Sequence, residues 1–113
     1  MIMARFYQIC GGQLWGFSVE GHAGYAGEDE DDIVCAAVSA LSINTANALE
    51  TLAGEETVCQ EEDGVLVVEL PRVRASLVSH DAELLMRALL QGLVSIRDTY
   101  GQDYVQVAVS QKP

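Results

Sequence analysis

Cys35 and His22 are the residues whose types and spacing best suit covalent chemistry. Both lie in the stretch from Gly21 to Leu49, where a histidine ends an apparent strand, a glycine-rich acidic loop follows, and a cysteine enters the first turn of a long helix. The thiolate is the reactive form of cysteine, and a helix N-terminus favours it through unpaired N–H groups and the positive end of the dipole. A neighbouring imidazole adds to this by accepting the thiol proton. The pair therefore reads as nucleophile, Cys35, and base, His22. Backbone N–H groups at the helix start, those of Cys35 and Val34, are the expected donors to a developing oxyanion.

Other residues support or compete with this pair. Asp32 suits an N-cap, which places Cys35 near the third helical position; Asp31 or Asp32 orienting the imidazole is the alternative use of a carboxylate here. Ser39 and Ser42 follow Cys35 at i+4 and i+7 and share its face. The Ser39 hydroxyl then either positions a water or helix carbonyl below the thiol, or bonds back to the preceding turn. In the loop, Tyr25 either closes over a substrate or packs at the loop edge, and Gly24 and Gly27 are candidate hinges for closure. The carboxylates from Glu28 to Asp32 oppose thiolate formation, so weak activation is expected until a substrate orders the loop and excludes water. His80 competes as base but lies outside this stretch. A metal site from His22, Cys35 and loop carboxylates lacks a closed ligand set of recognisable spacing, so neither metal nor other cofactor is expected.

The elements that must position these groups follow from periodicity. Residues 2 to 9 alternate Ile2, Ala4 and Phe6 against Arg5 and Tyr7, which predicts a strand. Gly11-Gly12 supplies a hairpin turn. Residues 14 to 20 predict a second strand with Trp15, Phe17 and Val19 on its buried face. Ile33 to Ala53 contains no Pro or Gly and is stopped by Gly54; those 21 residues predict a central, largely buried helix of roughly 30 Å. Asp63-Gly64 predicts a hairpin between strands at 57–61 and 65–70, with Cys59 a small packing residue. Pro71 ends the second of these, and the connector after it carries Arg72 and Arg74, either a carboxylate- or phosphate-binding pair or simply solvated. Asp81 is the expected cap of a second helix with a Leu85, Leu89, Leu93, Ile96 stripe, ending at Gly101. Residues 103 to 110 predict the last strand. The order β-β-α-β-β-α-β is that of an α+β two-layer sandwich, a mixed or antiparallel sheet with two helices packed on it.

The 113 residues are expected to form one domain, 1–113, with a single core. Half the residues are hydrophobic, which excludes a disordered chain. The run from Ile33 to Leu52 is broken by seven polar residues, so no membrane span is expected. No secretory pattern is visible at the start, and the cysteines Cys10, Cys35 and Cys59 suit a reducing compartment, the cytoplasm. Six basic against seventeen acidic side chains give a formal charge of −11. That excludes a general nucleic-acid binder, suits a basic partner, and equally serves solubility.

Gly21-His22-Ala23, the spacer, and Asp32-Ile33-Val34-Cys35-Ala36-Ala37-Val38-Ser39-Ala40-Leu41 together resemble the signature of the ribosomal-processing cysteine proteases, the Prp family. The resemblance spans the chain in length and element order, but only residues 21 to 41 are specific. It implies a bacterial cysteine endopeptidase that removes the N-terminal extension of a large-subunit ribosomal protein, with a homodimeric assembly. It also implies His22 and Cys35 as catalytic dyad, Asp32 and Ser39 as site residues, and Gly21, Ala23, Gly24, Tyr25 and Gly27 as the substrate-binding loop. The spacer is about one residue longer than the family's usual one, and Glu28-Asp29-Glu30-Asp31 is unusually acidic. The competing reading is a non-catalytic acidic module that binds a basic ribosomal-protein segment.

Overall fold

The structure, a computed structural model, describes residues 1–26 and 32–113. Its elements are β1 (Ile2–Gln8), β2 (Leu14–Gly21), α1 (Ile33–Thr51), β3 (Val58–Glu62), β4 (Val65–Glu69), a short α2 (Pro71–Arg74), α3 (His80–Tyr100) and β5 (Val105–Gln111). The five strands form one mixed sheet in the order β3-β4-β2-β1-β5, antiparallel except for the β1–β5 pair. α1 and α3 pack on one face of it, and the core is shared by Ile2, Ala4, Phe6 and Phe17 of the sheet, Val34, Val38 and Leu49 of α1, and Met86, Leu89 and Leu93 of α3. This is the expected two-layer α+β arrangement.

Local chemistry explains where each element turns. Gly11 and Gly12 have φ of 110° and 101°, and Asp63 and Gly64 have 51° and 78°, so both hairpins turn through backbone that L side chains adopt at a cost. Gly21 is needed for a different reason. A Cβ there would collide with the Met1 carbonyl, because Gly21 pairs with Ile2 at the sheet margin. The strand can therefore close against β1 and deliver His22 immediately beyond its end.

Several expectations are corrected. The β1–β2 register slips between Tyr7 and Gln8, with Tyr7 opposite Gly16 and Gln8 opposite Leu14. The residue passed over, Trp15, stacks on Tyr7 at 5.4 Å on the face away from the helices, under the Arg74 guanidinium, so it does not share Phe17's face. Arg74 is thereby committed to Trp15, Glu69 and the Pro113 carbonyl, which leaves no binding pair with Arg72. α1 buries only seven of its nineteen residues and covers the sheet with one face rather than being largely buried. By length and composition α1 passes for a membrane-crossing helix, yet that one face is part of the core. Ser79, not Asp81, caps α3 by accepting from the Ala82 amide, which draws His80 into the first turn. Cys59 is exposed rather than packed. Within the α3 stripe Leu89 and Leu93 are buried with Ala82 and Met86, while Leu85 and Ile96 are only partly covered.

Candidate active site

The end of β2, the N-terminal half of α1 and the β3–β4 hairpin enclose a cavity of about 150 Å3. His22 and Cys35 both line it, with Gly21, Ser39 and Ser42; Glu61 and Gly64 form its hairpin wall, and Ile2, Val19, Val38 and Leu66 its apolar base. That volume is comparable to a cavity that accepts a benzene ring, enough for one substrate side chain.

Asp32 builds the entrance to α1. Its Oδ1 accepts from the amides of Val34 and Cys35, each at 3.0 Å, and its Oδ2 accepts from the amide of Tyr25 at 3.0 Å. The Cys35 amide foremost, then those of Tyr25, Val34 and Ala26, hold the Asp32 carboxyl below its ordinary value, against an opposing contribution from lost hydration. One carboxylate thus closes the helix end and ties the loop to it. This corrects two expectations. The Val34 and Cys35 amides are occupied by the cap and are not free for an oxyanion, and the Asp32 oxygens are spent on amides rather than on the imidazole.

The amide that does reach the reactive position is that of Ala23, which donates to Cys35 Sγ at 3.2 Å. Ala23 is itself buried, at 3% exposure, so this peptide is seated in the core margin. Cys35 is half-buried, and Ser39 and His22 are exposed at the cavity mouth. Ser42 lies at its inner end, where the hydroxyl is buried without a partner among the described residues.

Tyr25 takes the loop-edge alternative: its ring meets those of Tyr100 and Tyr104 edge-on rather than lining the cavity. Gly24 has a φ of 69°, which suits a bend between Ala23 and Tyr25. Gly27, the acidic run from Glu28 to Asp31, and Asp31 as an imidazole partner lie outside the described residues. His80 stands elsewhere, beside Gly11, Gly12 and Arg87. No group of three or more His, Cys, Asp or Glu able to hold a metal occurs among the described residues. The sequence marks Gly64 as a turn residue, but nothing along the chain places it or Glu61 at the site. A Cβ at Gly64 would sit 3.9 Å from His22 Nε2, and only the β2–β4 pairing, invisible in a linear pattern, brings that hairpin to His22.

A family model for the cysteine protease Prp matches residues 1–106. The ribosomal processing cysteine protease Prp of Bacillus subtilis is 32% identical over 108 residues, 92% of this chain and 90% of that one. The crystal structure of SMU.848 from Streptococcus mutans matches with a TM-score of 0.78 at 33% identity, covering 99% and 96% of the two chains. The fold also matches an essential ribosomal processing protease Prp from S. aureus, crystallised with a covalently linked product peptide; the TM-score is 0.84 at 24% identity, over 97% of this chain and all of that one. With a signature cysteine and histidine meeting in one cavity and a family model covering nearly its whole length, this chain belongs to the Prp family of cysteine proteases.

Proposed function

We propose that Cys35 is the nucleophile and His22 the general base of an endopeptidase that removes the N-terminal extension of a large-subunit ribosomal protein in the bacterial cytoplasm. The observation that carries the assignment is the shared cavity, which both side chains line, together with the Ala23 amide directed at the Cys35 sulfur. The ribosomal substrate rests on the relatives, whose names describe ribosomal processing and one of which is crystallised with a substrate peptide. A basic ribosomal segment also suits a chain of formal charge −11 whose cavity carries Glu61 on its wall. A homodimer is part of the same reading.

His22 accepts the Cys35 proton, and the thiolate attacks the scissile carbonyl to give a tetrahedral oxyanion. As that collapses, the C–N bond breaks, His22 gives its proton to the leaving amine, and a thioester remains on Cys35. Water then attacks the thioester with His22 again accepting a proton. The thioester's C–S bond breaks, the proton on His22 returns to sulfur, and the new carboxylic acid leaves, releasing its own proton to water.

The test is mass spectrometry of a ribosomal-protein N-terminal extension after incubation with the wild-type chain, Cys35→Ala and His22→Ala. A single cut made only by the wild type is the expected result. An intact substrate that all three proteins bind would replace this proposal with the binding-module reading.

A further inference from the structure

The Ala23 amide reaches Cys35 Sγ from a loop, so something must hold that loop. Three tyrosines outside the cavity do. The Tyr25 ring lies 5.3 Å from that of Tyr100 at 79° and 5.2 Å from that of Tyr104 at 80°, both in the edge-to-face geometry that aromatic pairs prefer. Tyr100 is the last residue of α3, and Gly101, at φ 119°, turns the chain there so that the Tyr104 amide donates to the Gly101 carbonyl. The Tyr104 carbonyl accepts from the Ile2 amide at 2.8 Å, which fixes this corner to β1, the strand paired with β2. The two receiving rings are therefore set by the sheet, while Tyr25 belongs to the loop.

We propose that Tyr25 is a positioning residue: docked between Tyr100 and Tyr104, it holds the Ala23 N–H on Cys35 Sγ. The geometry between them supports this. Ala23 is anchored by burial of its methyl, Gly24 beside it bends the chain at a φ of 69°, and Tyr25 follows with its own amide on Asp32 Oδ2. Burial fixes where the Ala23 methyl sits; the Tyr25 ring and amide, just beyond the bend at Gly24, hold the other end of this short segment and so keep its peptides facing as they do. An N–H aimed at sulfur is a stronger donor to a thiolate than to a thiol, so holding it favours the reactive form. Tyr25 touches neither sulfur nor cavity and acts only through Ala23.

This inference rests on Cys35 as nucleophile, but its readout is alkylation of Cys35 by iodoacetamide at one neutral pH, followed by peptide mapping, which needs no turnover. Tyr25→Ala is expected to slow alkylation about tenfold, the size expected for loss of one hydrogen bond to a charged group. Tyr25→Phe keeps the ring and should react at the wild-type rate. Tyr100→Ala should slow it in the same direction, and the double variant Tyr25→Ala/Tyr100→Ala should be no slower than Tyr25→Ala alone. With a cleavable peptide, kcat should fall while KM holds. Tyr25 is 42% exposed, so the thermal midpoint of Tyr25→Ala should stay near that of the wild type. Wild-type or faster alkylation in Tyr25→Ala, or additive losses in the double variant, would overturn the proposal. Failure of the wild type to cut any peptide would instead strike the proteolytic reading and leave the alkylation result standing.

Discussion

Two cysteines face the helix-bearing side of the sheet under opposite conditions. Cys35 sits half-buried in the first turn of α1, receives the Ala23 amide on its sulfur and shares a cavity with His22. Cys59 lies opposite the buried Val68 on the outermost strand, beyond the reach of the helices, and is exposed. Loss of hydration and then the charge of Glu61 push its thiol up from the ordinary 9.0. The more accessible thiol is thus one whose environment opposes its thiolate. Exposure admits a reagent, whereas Cys35 has a directed amide and shares a walled cavity with a histidine, the surroundings that a nucleophile requires.

The largest effect that separates the two is catalytic. Cys35→Ala should lower peptide cleavage by about 10^4-fold or more, as removal of a covalent nucleophile does, while Cys59→Ala should stay within about twofold of the wild type. Steady-state kinetics on one peptide decides it. Comparable losses in both would erase the distinction.

The next effect sharpens the comparison at the helix ends. Asp32 caps α1 beside the site, and Ser79 caps α3 away from it. Ser79→Ala should cost about 1 kcal/mol of stability and leave kcat unchanged. Asp32→Ala should lower both the melting temperature and kcat, because the same carboxylate holds the Tyr25 amide. The folded Asp32 pKa lies below 3.8, so the cap is fully present above that value and is lost as the pH falls through the folded one. The melting-temperature gap between wild type and Asp32→Asn should therefore begin to narrow as the pH falls below 3.8 and close once it has passed the lower folded value. A gap that stays constant from neutral pH through strong acid would show that the capping charge is not its source.

The smallest effect concerns Cys59 itself. Its alkylation should remain slow at neutral pH and accelerate only above 9.0, and Glu61→Gln should speed it a few-fold by removing the repelling charge. Peptide mapping across a pH series reads both. Neutral-pH labelling of Cys59 as fast as that of Cys35 would break the contrast.

Much of this was legible along the chain because it is local. Strand alternation, the Asp63-Gly64 turn, the Asp32 cap three residues before Cys35, and the placement of His22 after β2 all follow from neighbours within a few positions. The failures share a physical cause, competition between groups far apart in sequence. Trp15 was assigned by strict alternation, but the register slip opposite Tyr7 moved it to the other face, where Arg74 and the C-terminal carbonyls complete its surroundings. Asp81 looked like a cap, yet Ser79 holds that position; Glu83, one turn into α3, accepts from the Leu14 amide and docks the helix on β2. Val34 and Cys35 were natural oxyanion donors until the side chain that makes the helix start was seen to consume both amides. Glu61 and Gly64 reach the site only through the long-range β2–β4 pairing, with Glu20 opposite Val65, and Tyr100 and Tyr104 meet Tyr25 only because α3 ends where it does. The proposed dyad lies in one stretch; the groups around it come from two others.

The most direct test of the account is to trap the thioester. The wild-type chain is mixed with a substrate peptide, quenched in acid within the first turnover, digested and mapped by mass spectrometry. An acyl adduct on Cys35, absent in Cys35→Ala and strongly reduced in His22→Ala, is the expected result. An adduct on Cys59 or Cys10, or cleavage that proceeds at the wild-type rate in Cys35→Ala, would contradict it.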